Sequence, residues 1–274
     1  DDAILEANGR AHRLRHVDTV WESAKASGID QLNLDLISGL VGESESTWTA
    51  SISRLMGMDA DSVTIYQMEM PRNTTFFKAK GRGELMADAL PDWPTKRRWS
   101  SMAFEALEAR GYTLTSAVTA VKDAARSRFV YRDSLWGGAD MLGLGVSAFS
   151  HVAGTHYQNE KHISRYVESL GEPLLAVQRG YVMSADERLT RESVLLLKTG
   201  RLNLARLEAR YAVDPLKRFK EPIEALIASG LAAIREGTLT LSRDGLLQVD
   251  RLLPAFFAQE HSPEIHKEPS WTQR

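Results

Sequence analysis

Residues 33–42 read Asn33-Leu34-Asp35-Leu36-Ile37-Ser38-Gly39-Leu40-Val41-Gly42. From Gln31 to Ile37 apolar and polar residues alternate, as in a strand with one buried face, and Gly39 ends the run. Upstream, Val17, Val20, Trp21 and Ala24 fall on one face of a helix that stops at Gly28. Downstream, a helix starting near Ser46 carries Trp48, Ile52, Leu55 and Met56 in one stripe, and residues 62–68 read as a second strand. Beyond a loop with Pro71 and Asn73, a further helix presents Trp99, Met102, Ala103, Ala106 and Leu107. It closes at Gly111, and a third strand begins at residues 112–115. Strand–helix–strand units of this length predict parallel strands joined by right-handed crossovers. They are too few for a closed barrel and fit the trailing units of an α/β barrel.

Residues 184–260 have a different texture. Helices are expected at 186–199, 204–211 and 216–228, the last with Phe219, Ile223, Leu226 and Ile227 on one face. A β-hairpin follows, 231–234 and 238–241, turning at Glu236-Gly237. A final helix carries Leu246, Val249, Leu253 and Phe256. Three helices and a hairpin predict a winged-helix-like α+β module. The chain therefore divides at 1–183 and 184–274, and its polar tail from His261 is expected to be poorly ordered.

Composition narrows the function classes. At 274 residues the chain can bury a substantial core. Its 34 basic and 36 acidic residues nearly balance, which argues against a nucleic-acid or polybasic membrane surface. No apolar run is long enough to span a bilayer, and a cytoplasmic protein is expected. Cysteine is absent, so this chain can form no disulfide and hold no iron–sulfur cluster through thiolates. It opens Asp1-Asp2-Ala3-Ile4-Leu5, inside an apparent helix, and reads as a piece whose leading half is missing.

Four collinear motifs carry a resemblance. The segment 33–42 resembles the strand and turn N-x-D-L-I-x-G-L-P-x-Q-T of the oxygen-independent coproporphyrinogen III oxidase family of radical S-adenosylmethionine (SAM) enzymes. Gly138-Ala139-Asp140-Met141-Leu142-Gly143-Leu144-Gly145-Val146-Ser147-Ala148-Phe149-Ser150 is similar to its G-D-x-D-L-L-G-x-G-V-S-A-x-S. Residues 61–69 stand where the family has its next strand, and Asn8-Gly9-Arg10-Ala11-His12 resembles its N-R-x-H element. The resemblance spans the chain. It implies the trailing half of a radical SAM (β/α) barrel followed by the winged-helix-like module.

By the same resemblance, Arg10, Asp35 and the main chain near Glu69 hold the second of two SAM molecules, and Phe149 contacts the first. A 4Fe–4S cluster belongs to the complete protein, on cysteines upstream of Asp1. A tetrapyrrole (porphyrinogen or heme) is the implied substrate, and a reducing protein such as a flavodoxin the implied partner. The residues suit these roles. An acid at the end of a barrel strand can accept both hydroxyls of a ribose, and arginine pairs with carboxylates in fork geometry. Taken alone, Asp35 would be a turn former and Arg10 a solvated helix residue. Gly143-x-Gly145 would be a bulge, and Trp48 and Trp99 would be core.

The segment 129–159 interleaves aromatics with polar groups suited to propionates or a macrocycle, and Arg132, His151, His156 and Tyr157 are the expected substrate contacts. The plainer alternative pairs Arg132 with Asp133. Where the decarboxylating oxidases carry D-H-F-A-x-P, this chain has Ser116-Ala117-Val118-Thr119-Ala120-Val121-Lys122. With Tyr66-Gln67-Met68-Glu69-Met70-Pro71-x-Asn73-Thr74 and His156-Tyr157-Gln158-Asn159, it looks more like the branch of anaerobic heme-opening methyltransferases, the anaerobilin synthases. Three readings follow: a radical enzyme acting on a tetrapyrrole, a heme-binding chaperone of the same superfamily, and a winged-helix regulator. Glu208, Glu221 and Glu224 in the would-be recognition helices count against the third.

Overall fold

The computed structural model describes residues 1–69, 90–171 and 175–258. The loop expected at Pro71 and Asn73 and the tail from His261 lie outside these residues. Two compact units meet in sequence between Arg128 and Phe129. No helix of the described residues is long and apolar enough to cross a membrane.

In the first unit, helices α1 (Asp2–Ala7) and α2 (Leu14–Ala26) precede strand β1 (Asn33–Ser38). Helix α3 (Glu45–Met58) leads to strand β2 (Ser62–Gln67). These strands pair parallel, Asn33 opposite Ser62 and Ser38 opposite Gln67, as a strand–helix–strand unit requires. Ser44 caps α3 by accepting from the Thr47 amide, and Asp92 caps α4 (Trp93–Glu108) the same way at Thr95. The stripes expected on α3 and α4 meet over the sheet: Trp48, Ile52, Leu55, Trp99, Ala103, Phe104 and Leu107 are buried. The rings of Trp48 and Trp99 stack 6.4 Å apart, and Trp48 Nε1 donates to the Trp99 carbonyl at 2.8 Å.

The third strand departs from expectation. Strand β3 (Thr113–Leu114) does not extend the sheet in parallel. The chain reverses at residues 116–118, and β4 (Thr119–Val121) lies antiparallel between β2 and β3, so the order is β1-β2-β4-β3. The physical reason is a tight hairpin: the Thr115 amide donates to the Thr119 carbonyl, and the Ile65 amide to the Val118 carbonyl at 2.7 Å. Thr119, Ala120 and Val121 are all buried, so this β-branched run competes better for the place beside β2 than the two residues of β3.

The second unit holds two antiparallel sheets. Helix α5 (Val130–Trp136) leads through the glycine-rich loop to β5 (Phe149–Val152), β6 (Thr155–Asn159), helix α6 (Ile163–Ser169) and β7 (Val177–Val182). These strands pair in the order β5-β6-β7, a sheet the sequence reading did not foresee. Next come α7 (Ala185–Leu197), β8 (Arg201–Asn203), α8 (Leu204–Tyr211), α9 (Pro215–Arg218) and α10 (Lys220–Ala228). The hairpin β9 (Ala232–Arg235) and β10 (Thr238–Leu241) turns at Glu236 and Gly237, both at positive φ, as a two-residue hairpin demands. Strand β8 adds a third strand, giving β8-β10-β9. The helix expected at 216–228 breaks at Phe219, and the last one breaks into Arg243–Leu247, Val249–Leu252 and a 3-10 turn at Leu253–Phe256. The core gathers Leu189, Leu197, Leu202, Leu207, Phe219, Leu239 and Phe256, with the rings of Phe219 and Phe256 5.3 Å apart.

One charged residue joins the helices to the glycine-rich loop. Glu192 of α7 is only 1% exposed. It pairs with Arg210 Nη1 at 3.0 Å and accepts from the Tyr211 hydroxyl at 2.7 Å. Arg210 then donates to the carbonyls of Gly137 and Gly138, each at 3.1 Å, and Arg206 to that of Gly137 at 3.2 Å. A Cβ on Gly138, whose φ is +87°, would stand 2.5 Å from Glu192 Oε2. Only glycine fits there, on backbone and on space. Burial, and then the Glu192 carboxylate, push the Tyr211 phenol up to about 12.

Two predictions test this packing. Phe219→Ala should cost about 3–5 kcal/mol in urea unfolding, the range for a fully buried aromatic. Tyr211 is held protonated, so its stabilising contribution is intact below about pH 10 and lost as the pH rises through 12. The highest-pH phenolate transition in an absorbance titration should therefore fall back toward 10 in Glu192→Gln; an unmoved transition would remove Glu192 from the network.

Candidate functional site

At the first unit's rim, the buried amide of Asn8 fastens the end of α1 to the turn after β1. Its Oδ1 accepts from the Val41 amide at 3.0 Å, and its Nδ2 donates to the Val41 carbonyl at 3.0 Å. Glu43 closes the same turn, accepting from the Gly39 amide at 2.6 Å, and burial raises its carboxyl above the ordinary range. Gly39, with φ of +85°, lets the buried side chain of Lys96 cross it; an added Cβ would lie 2.6 Å from Lys96 Cγ. Lys96 Nζ donates to the Met68 carbonyl at 2.8 Å and lies 4.6 Å from the centre of the Trp93 ring. This fixes the backbone that leads to Glu69.

Arg10 is exposed just after α1, its amide bonded to the Leu5 carbonyl. Asp35 is exposed on β1, in the middle of the strand instead of at its end, and accepts from Asn33 Nδ2 at 2.6 Å. The six-residue strand continues to Ser38 because Ser38 still pairs with Gln67. Glu69 is exposed beyond the end of β2.

In the second unit the register of the β5-β6-β7 sheet decides which side chains share a face. Phe149 stands opposite Gln158, His151 opposite His156, and His156 opposite Tyr181. Opposed residues of antiparallel strands project to one side, so Phe149, His151, His156, Gln158, Arg179 and Tyr181 share a face. The rings of Phe149 and His156 are 5.4 Å apart. A concavity of about 280 Å³ opens there, lined by Phe149, His156, Tyr157, Gln158, Arg179, Gly180 and Tyr181. Phe149 and Tyr181 remain about half exposed.

His151 is 8% exposed, and neither ring nitrogen has a hydrogen-bond partner among the described residues. Burial, and then the charge of Arg191, lower its pKa, so the imidazole is held neutral. Tyr157 pairs with Ser150 and Gly180, in alternate register to the histidines, and lines the concavity with His156. Arg132 lies against its own helix: Nη2 pairs with Asp133 at 2.7 Å, and the guanidinium lies 4.6 Å from the Phe129 ring and 5.2 Å from the Trp136 ring. Lys198 pairs with Asp250 at 2.8 Å.

The glycine loop is pinned from within. Gly143 brings the backbone against the Phe149 carbonyl, where a Cβ would collide. The buried Asn159 donates to the carbonyls of Gly143 and Gly145, and the Gly143 amide donates to Ser150 Oγ at 2.9 Å. The loop therefore positions Phe149. Arg179, Tyr181 and Arg191 escaped the sequence reading; residues 177–182 carry no apolar–polar alternation that marks the strand.

No family model matches the chain. It is similar to the heme chaperone HemW of Bacillus subtilis at 23% identity, covering 94% of this chain and 67% of that protein. It is 25% identical to the oxygen-independent coproporphyrinogen III oxidase of Pseudomonas aeruginosa, covering 97% of this chain and 61% of the relative. HemW of Mycobacterium tuberculosis is 28% identical, with 91% and 61% covered. The chain thus spans about 60–67% of the length of these relatives. Its fold matches that of the Escherichia coli coproporphyrinogen III oxidase HemN, described as a radical SAM enzyme, with a TM-score of 0.74 over 93% of this chain and 61% of that one, at 20% identity. The chain is accordingly similar in sequence to HemW and to oxygen-independent coproporphyrinogen III oxidases, and shares the HemN fold along nearly all of its length.

Proposed function

We propose that the protein to which this chain belongs acts on a tetrapyrrole, a porphyrinogen or heme, as a radical SAM enzyme. The observation that carries the reading is the β5-β6-β7 face. It offers the half-exposed Phe149 and Tyr181 and the His156 imidazole around a concavity, with Arg179 at its margin and the buried His151 beside it on the same face. A flat macrocycle with acidic side chains needs apolar cover and cations, and this face has both. Relatives of both kinds bear names that refer to tetrapyrroles.

The cofactor residues fit SAM by type. Asp35 would accept from ribose hydroxyls, Arg10 would pair with the methionine carboxylate, and the backbone at Glu69, braced by Lys96, would line the second of two SAM molecules; Phe149 would touch the first. SAM, when bound, supplies the adenosyl or methylene group. The chain has no cysteine, so an iron–sulfur cluster does not fit its residues, and the 4Fe–4S cluster and a flavodoxin-type reductant belong to the rest of this reading. Within it we favour the branch of the anaerobilin synthases. Support comes from the β3–β4 hairpin, which stands where the oxidases carry D-H-F-A-x-P.

Residues 184–274 are read as a module that packs against or covers substrate. Glu208, Glu221 and Glu224 are exposed on its helices, an unfavourable surface for a phosphate backbone. The heme chaperone is the second reading, supported by similarity to HemW at 23–28% identity. Product analysis with SAM and a reductant separates the two. Asp35→Ala should weaken SAM binding at least about tenfold by calorimetry, since a ribose hydroxyl left without its acceptor costs roughly 1–3 kcal/mol. Unchanged affinity would take Asp35 out of the site.

A further inference from the structure

The tetrapyrrole reading expects a cation for a propionate, and Arg132, the first choice from sequence, is already occupied by Asp133 and two aromatic rings. A different arginine meets the requirement. Tyr181, on the aromatic face, donates its hydroxyl to Glu187 Oε1 at 2.6 Å, which brings helix α7 to the edge of that face. Arg191 lies four residues after Glu187 and so one turn along the same side of the helix. Below Gly154, at the β5–β6 turn, the side chain of Arg188 packs so closely that a Cβ would meet it at 3.0 Å, a second contact of α7 with this sheet.

Arg191 is half-buried and makes no hydrogen bond or ion pair with any described residue. Every other arginine facing the loop, Arg206 and Arg210, is satisfied by Glu192 and main-chain carbonyls. Burial holds the Arg191 guanidinium below its ordinary range, and its charge is felt at both His151 and His156. The Glu192 carboxylate and Tyr211 act on Arg191 through space but make no ion pair or hydrogen bond with it, so its N–H fork stays available to an anion. Beside it His151, more than nine-tenths buried, has both ring nitrogens unpartnered on the same face as His156 and Tyr181. These two unmet requirements converge on one place. Glu187 makes no ion pair with Arg191; its oxygens accept from Tyr181 and from the Ser184 amide at 2.8 Å.

We propose that Arg191 is the carboxylate anchor of the β5-β6-β7 face, receiving a propionate-type side chain of a flat macrocycle that lies against Phe149, His156 and Tyr181. The assignment rests on the tetrapyrrole reading and adds to it a specific cation and a specific edge of the ligand. Arg179, bonded to Gln158 at 2.9 Å and exposed, is a secondary cation at the opposite margin.

The test uses the 274-residue chain with coproporphyrin III and its tetramethyl ester as probes, read by quenching of tryptophan fluorescence. The free acid should bind more tightly than the ester. Arg191→Met should weaken the acid at least about tenfold and leave the ester within about twofold, as loss of a charge-assisted hydrogen bond requires. An Arg191→Met chain that binds the acid as the parent does, or a parent indifferent to esterification, overturns the anchor while leaving the tetrapyrrole reading standing. If Arg191→Met fails to fold, Arg191→Lys decides: loss of the fork should still cost the acid about threefold and spare the ester, and equal binding overturns the assignment. A parent chain that binds neither probe defeats the tetrapyrrole reading and the anchor together.

Discussion

A carboxylate that is 1% exposed cannot remain charged in a protein interior without partners, and Glu192 organises the second unit around that requirement. Arg210 and Tyr211 from α8 answer its charge, and Arg210 and Arg206 spend their remaining donors on the Gly137 and Gly138 carbonyls. The helical module and the loop that feeds β5 are therefore held by one network. Removing a single partner of such a network leaves a buried charge uncompensated, which typically costs roughly 3–5 kcal/mol. The glycine at 138 follows from the same constraint, because the carboxylate occupies the volume any side chain would need.

From that anchor the geometry runs outward to the face. The loop after Gly138 is pinned by Asn159 and Ser150, so Phe149 enters β5 at a set position. Cross-strand pairing then ranks His151, His156 and Tyr181 beside it. Helix α7 carries both Glu192, turned into the core, and Arg191, turned toward the sheet. Adjacent residues on a helix point about 100° apart, so one short segment serves stability and recognition separately. This arrangement makes a ligand at the face sensitive to the register of α7, and hence to the buried pair.

Much of this was legible in the sequence, for identifiable reasons. Strand β1 and helices α3 and α4 announce themselves by period, because each buries one stripe, and Trp48 and Trp99 are core as their spacing implies. The Glu236-Gly237 turn is dictated by its need for two positive φ values. The β3–β4 reversal was not legible: Thr119–Val121 is buried at every residue and carries no alternation, so only residues 112–115 read as the strand that follows α4. The β5-β6-β7 sheet was hidden for a related reason, its last strand being exposed at every residue from Val177 to Val182. Among the site residues, Arg132 reads as a propionate partner standing among aromatics, and in the structure it lies against Asp133, Phe129 and Trp136; Arg191 sits in an amphipathic helix where nothing local distinguishes it from a solvated charge.

The β5-β6-β7 face is the proposed seat of the tetrapyrrole. Hydrogen–deuterium exchange of this chain with and without coproporphyrin III tests it most directly, because exchange reports protection segment by segment. Added protection should be confined to residues 149–159 and 177–191, with the strands β8, β9 and β10 unchanged. Protection that appears instead at residues 201–241, or no segment-specific change at saturating porphyrin, would contradict it.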